Sequence, residues 1–106
     1  MASITLRHHG ITVEAEEVGD HSCAEALEFA ANLLSQEATF SRALVDRIDG
    51  LVLIGTDVNY HFAAPLCGYD GDGPRTTAII LELFGFAAGA DIMSRINHVV
   101  AAEFSL

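Results

Sequence analysis

The sequence predicts a small single α+β domain of 106 residues, with helices packed on one face of one antiparallel or mixed sheet. Three patterns support this: apolar and polar residues alternate over 4–18 and again over 51–63, and apolar residues recur at helical spacing over 23–35. The sheet should hold an N-terminal hairpin plus one or two further strands. The expected order is ββα(α)βα(α)β, where the bracketed helices lie in or beside segments (37–49 and 97–106) that also fit strands.

Residues 4–18 predict a β-hairpin with its turn at His9-Gly10. This register places Leu6 opposite Val13 and collects the apolar side chains on one face, as a half-buried hairpin requires.

The helix over 23–35 has a start signal in Ser22 and Glu25, which are spaced as a capping box. Residues 36–49 predict a second helix that ends at Gly50, because Phe40 and Leu44 begin a four-residue apolar repeat. A strand over 39–45 is the alternative.

Residues 51–63 read as one long strand, although a turn at Gly55-Thr56-Asp57 would split it into two. A glycine-rich loop then leads through Pro74 into an apolar helix that stops at Gly85. Beyond a loop over 86–90, a short helix over 91–99 and a terminal strand are expected.

Charge restricts the function classes. Fifteen carboxylates face five arginines, there is no lysine, and the formal charge is −10. Such a chain should not bind nucleic acid directly or an anionic membrane, although mimicry of nucleic acid is open. Without lysine, Schiff-base chemistry and a Walker-type phosphate loop are excluded. A basic protein is the expected partner, and a homodimer through an apolar terminal strand is a further possibility.

An acidic docking surface is therefore predicted, against the simpler interpretation of a solvated face. Its residues are Glu14, Glu16, Glu17, Asp20, Asp46 and Asp49.

The glycine-rich loop before the helix that stops at Gly85 is the other candidate site, since free backbone amides at a helix start can bind an anion. Its residues are Gly68, Tyr69, Asp70, Gly71, Asp72, Gly73, Arg75, Thr76 and Thr77. The competing interpretation is a tight turn in which Asp72 caps the helix itself. The calcium-loop pattern fails at Pro74 and Arg75, so no metal or cofactor is expected.

Catalytic signatures are sparse. No HExxH, CxxC or GxSxG spacing occurs, and His61 with Cys67 or Asp57 is the constellation that most suggests an enzyme, ahead of Cys23 near His21. Two cysteines are too few for a disulfide framework, and the N-terminus lacks a signal-peptide pattern, so a cytoplasmic location is expected.

The sequence thus favours a non-catalytic acidic interaction module of the inhibitor, immunity, antitoxin or accessory-subunit kind. A nucleotide or small-molecule sensor that uses residues 68–77 is the alternative, and a small enzyme built on His61 is the third hypothesis.

Overall fold

The computed structural model describes residues 3–8, 10–18, 23–46, 50–62, 72–86 and 101–105. These residues form a six-stranded sheet and two helices, which confirms the α+β class. The elements are β1 (Ser3–His8), β2 (Ile11–Val18), α1 (Cys23–Ser35), β3 (Phe40–Asp46), β4 (Gly50–Gly55), β5 (Asn59–Phe62), α2 (Asp72–Leu83) and β6 (Ala101–Ser105).

The strand order across the sheet is β1-β2-β5-β4-β3-β6. Strands β1 and β2 form the predicted hairpin with the predicted register, in which Leu6 pairs with Val13. Gly10 in its turn has a φ of 75°, the left-handed conformation that glycine adopts without penalty. The β2–β5 pair is parallel and the other neighbouring pairs are antiparallel, so the sheet is mixed.

Both described helices pack against one face of the sheet. Successive residues of β3 point to opposite faces of the sheet and belong to two different core clusters. Ala43 and Val45 belong to the large cluster, which includes residues of α1 and α2. Leu44, between them, belongs to a smaller cluster with Val13, Ala15 and Val52 on the opposite face. The prediction of helices on one face is therefore confirmed for the described residues.

The helix favoured for 36–49 is wrong where the structure describes this segment, because Phe40–Asp46 is strand β3. The strand alternative was correct. Ala43, Leu44 and Val45 are all fully buried, since β3 lies inside the sheet and both of its faces are covered. A strand buried on both faces has apolar residues at successive positions instead of alternating apolar and polar ones. The apolar run of β3 therefore also matched the spacing of a helix. Gly50 starts β4 instead of capping a helix.

The long strand expected over 51–63 is two strands, β4 and β5, joined by the turn that was the alternative interpretation. Gly55 makes this turn possible. A Cβ added there would lie 2.6 Å from the carbonyl oxygen of Val58 and 3.2 Å from the ring of Phe40. Together with the strand at 40–46, this split raises the strand number to six.

Both helices end in the same hydrogen-bond pattern. In α1 the Ala38 amide donates to the Leu33 carbonyl (3.0 Å) and the Glu37 amide donates to Leu34 (3.0 Å), which is a Schellman motif. Glu37 takes the left-handed position, with a φ of 61°. In α2 the corresponding residue is Gly85, with a φ of 81°, which confirms the prediction that the helix ends at this glycine.

Strand β6 confirms the predicted terminal strand. Helix α1 has the predicted bounds, and α2 begins two residues before Pro74. Ser22, most of the glycine-rich loop and the expected helix over 91–99 lie outside the described residues. No helix in the described ranges is both long and apolar enough to cross a bilayer.

Candidate functional site

An open groove of about 590 Å³ lies between β2 and the end of the β4–β5 hairpin. We call it the β2 groove. Its apolar lining includes Val13, Ala15 and Ile54, and its charged lining includes Glu14, Asp57 and Arg42.

The groove exists because β2 is longer than its contact with β5. Only residues 16–18 of β2 pair with β5, which itself begins at Asn59. Asn59 ties the two hairpins together at this point: its Nδ2 donates to the Glu14 carbonyl (3.0 Å), and its Oδ1 accepts from the Gly55 amide (3.1 Å). One side chain thus holds both the turn and the neighbouring strand.

The charges around the groove are unequal. Arg42 donates from Nη2 to Glu103 Oε1 at 2.8 Å, so its positive charge is already matched by a carboxylate on β6. Glu14 and Asp57 are exposed, and no described cation lies within ion-pair distance of either. The potential in the groove should therefore be negative, which suits a cationic or hydrogen-bond-donating ligand.

His61 forms a second polar feature on the sheet. It is 8% exposed, and its Nδ1 lies 2.9 Å from Glu17 Oε2. The parallel register of β2 and β5 creates this contact, since it sets Glu17 beside His61. The sequence contained a signal for this contact. Glu17 follows Val13 and Ala15 at the two-residue spacing of one strand face, and a carboxylate on that inward face is costly unless it has a hydrogen-bonding partner.

The constellation suggested for an enzyme is not assembled in the described residues. His61 contacts Glu17, Asp57 lies in the turn before β5, and Cys67 is outside the described ranges. The described residues also contain no group of three metal-ligating side chains placed to bind an ion.

The predicted acidic surface is divided between the two faces of the sheet. Alternation puts Glu14 and Glu16 on the face that carries the helices, and puts Glu17 and Asp46 on the other. Strands β2 and β3 are three strand spacings apart, about 14 Å. Asp20 and Asp49 lie outside the described residues.

The sequence interpretation missed several exposed carboxylates because it looked for short acidic runs. Among the described residues, the exposed acids that it missed are Glu25, Glu28, Asp57, Glu82 and Glu103, whereas it had grouped the exposed Glu37 with Asp46 and Asp49.

The glycine-loop site stays a prediction, because residues 68–71 and the side chain of Asp72 lie outside the described residues. Arg75 is exposed on α2, whereas Thr76 and Thr77 are 4% and 0% exposed. In a helix that begins at Asp72, the amides of Thr76 and Thr77 donate to carbonyls one turn back. Any anion at this helix start would therefore meet donors earlier in the chain than these two threonines.

No protein-family model, curated protein or solved structure matches this chain. Inferences about its function therefore depend on the residues and geometry described above.

Proposed function

We propose that the protein is a non-catalytic acidic interaction module that docks on a basic surface of another protein, as an inhibitor, immunity protein, antitoxin or accessory subunit does. We place this interaction in the cytoplasm. One observation carries the proposal: among the described residues, seven exposed carboxylates stand against three arginines.

The described arginines are Arg7, Arg42 and Arg75, and Arg42 already pairs with Glu103. Exposed carboxylates occur at Glu14 on β2, at several positions of the helices and at Asp57 in the β4–β5 turn. Glu25 and Glu28, three residues apart on α1, lie close enough to repel one another.

The like charges on such a surface repel one another and destabilise the isolated chain, and a bound cationic partner reduces this repulsion. Complementary charges also accelerate association, and the gain decreases as salt screens it over about 10 Å at 0.1 M. The proposal therefore predicts binding that is specific and strongly dependent on salt.

The test is affinity capture with the purified chain at about 50 mM and about 500 mM salt, with quantitative mass spectrometry of the bound proteins. A triple variant, Glu14→Gln, Glu28→Gln and Glu37→Gln, removes three exposed charges. Its matched control, Ala24→Gln with Ala31→Gln, places the same new side chain at exposed sites of α1 without changing the charge.

We expect a basic partner that is captured at low salt by the wild type and the control, and that the triple variant retains poorly. A partner captured equally at both salt concentrations, or equally by the triple variant, would contradict the proposal. So would the absence of any captured basic protein.

A further inference from the structure

The β2 groove exposes the backbone of a strand as well as side chains. Strand β2 pairs with β1 along residues 11–16, but with β5 only along residues 16–18. Among the described residues, no strand pairs with 11–15 on the side away from β1. Within the described ranges this part of β2 is therefore an unpaired edge inside the sheet, where a strand of another chain can add its hydrogen bonds.

The Asn59 contact shows which backbone groups face the groove. Asn59 reaches the Glu14 carbonyl from the groove side at 3.0 Å. In an antiparallel pair, successive residues point their N–H and C=O groups alternately toward and away from the partner strand. The backbone of Thr12 and Glu14 thus faces the groove, while that of Val13 and Ala15 bonds to β1. Because the Glu14 carbonyl already accepts from Asn59, the groups left for an added strand are the Thr12 amide and carbonyl and the Glu14 amide.

The two sides of this edge differ in chemistry. Glu14 and Glu16 project on one side of β2, and Val13 and Ala15 on the other. Val13 and Ala15 are 5% and 2% exposed, and the half-buried Ile54 packs with them. A strand whose side chains alternate between basic and apolar would place cations near the carboxylates and apolar groups beside Ile54.

We infer that the β2 groove binds an extended basic segment of a partner protein, which adds as a strand to residues 11–15 of β2. The inference rests on the proposed function, since it names the form in which the basic partner is recognised. Five residues of strand span about 17 Å, so a segment of five or six residues fills the edge.

The charge of the chain selects this occupant over a second copy of the same chain. Two chains of formal charge −10 repel one another, and β2 would bring Glu14 and Glu16 of both copies together. A basic segment removes that repulsion.

The experiment uses fluorescein-labelled hexapeptides and fluorescence anisotropy. The test peptide alternates arginine and valine. A block peptide has three arginines followed by three valines, with the same charge and composition. We expect the alternating peptide to bind about tenfold more tightly than the block peptide, because only it presents opposite chemistry on its two sides.

Paired variants locate the site. Glu14→Gln with Asp57→Asn removes two charges beside the groove, and Glu25→Gln with Glu28→Gln removes two from α1. The groove variant should bind the alternating peptide about tenfold more weakly, which corresponds to less than 1 kcal/mol for each exposed charge pair that is lost. The α1 variant should bind the same peptide less than threefold more weakly.

Hydrogen exchange by NMR reads the backbone directly and does not depend on variants. On peptide binding, the amides of Thr12 and Glu14 should become protected, while those of Val13 and Ala15 should stay protected throughout.

The outcomes separate the two proposals. Equal, salt-sensitive binding of both peptides, with exchange at Thr12 and Glu14 unchanged, overturns the strand addition and leaves the acidic module standing. Failure of both peptides to bind, together with failure of the capture experiment, removes both proposals. Concentration-dependent dimers of the chain itself that protect the same two amides would overturn the basic-segment inference, because the occupant is then a second copy.

Discussion

Replacing Gly55 with alanine should destabilise the fold by about 3–4.5 kcal/mol, although it adds only one methyl group. The added Cβ would lie 2.6 Å from the carbonyl oxygen of Val58, 3.2 Å from the Phe40 ring and 3.3 Å from the carbonyl oxygen of Thr39. Two of these three atoms belong to the backbone, so no side-chain rotation relieves the contact.

The magnitude has three parts. Inserting a methylene-sized group into a packed site costs about 1–3 kcal/mol, and the shortest contact here favours the upper half of that range. Moving the turn also weakens the Asn59 hydrogen bonds to Gly55 and Glu14, at about 1 kcal/mol each. Alanine restricts the unfolded chain, which returns about 0.4–1 kcal/mol.

Urea unfolding followed by circular dichroism measures the loss, provided that the transition is two-state. Gly10→Ala is the matched control: nothing lies within 4 Å of its added Cβ, so its cost of about 1–2 kcal/mol comes from its positive φ alone. The NMR signal of the Asn59 side-chain amide should shift in Gly55→Ala and not in Gly10→Ala. A loss below about 1 kcal/mol with an unshifted Asn59 amide would refute the steric reasoning.

Two further predictions follow from single contacts. Glu37→Gly should raise the unfolding free energy by about 1 kcal/mol, because glycine takes the left-handed φ of 61° without strain, and Glu37→Ala should bring no such gain. A stabilisation equal in both variants would mean that charge and not conformation is responsible. A double-mutant cycle of His61→Ala and Glu17→Ala should give a coupling energy of about 1 kcal/mol in urea unfolding, whereas additive effects would show that their 2.9 Å contact contributes nothing to stability.

Helix α1 and the N-terminal hairpin could be predicted because the information that specifies them is local. Apolar spacing bounded α1 correctly, and a glycine with positive φ set the register of β1 and β2. At Gly85 a residue type with a unique conformational preference marked the helix end.

Strand β3 could not be predicted with the same certainty, since its environment comes from elsewhere in the chain. Its neighbours are β4 and the distant β6, and burial on both faces erased the alternation that identifies a strand.

The candidate site depended even more on distant pairing. Two contacts, Glu17–His61 and Asn59–Glu14, join residues more than forty positions apart. They form because β2 and β5 pair in parallel, and no local sequence pattern predicts that pairing. The acidic character of the surface was readable from composition, but its division between two faces was not.

The sequence by itself thus determined the fold class, the bounds of α1, the register of the hairpin and the sign of the surface charge, because each depends on neighbouring residues or on a sum over the chain. Only the tertiary structure decided which strands adjoin, and with them the open edge of β2 and the groove beside it. Strand pairing across long loops depends on burial shared by distant segments, and no single segment contains that information.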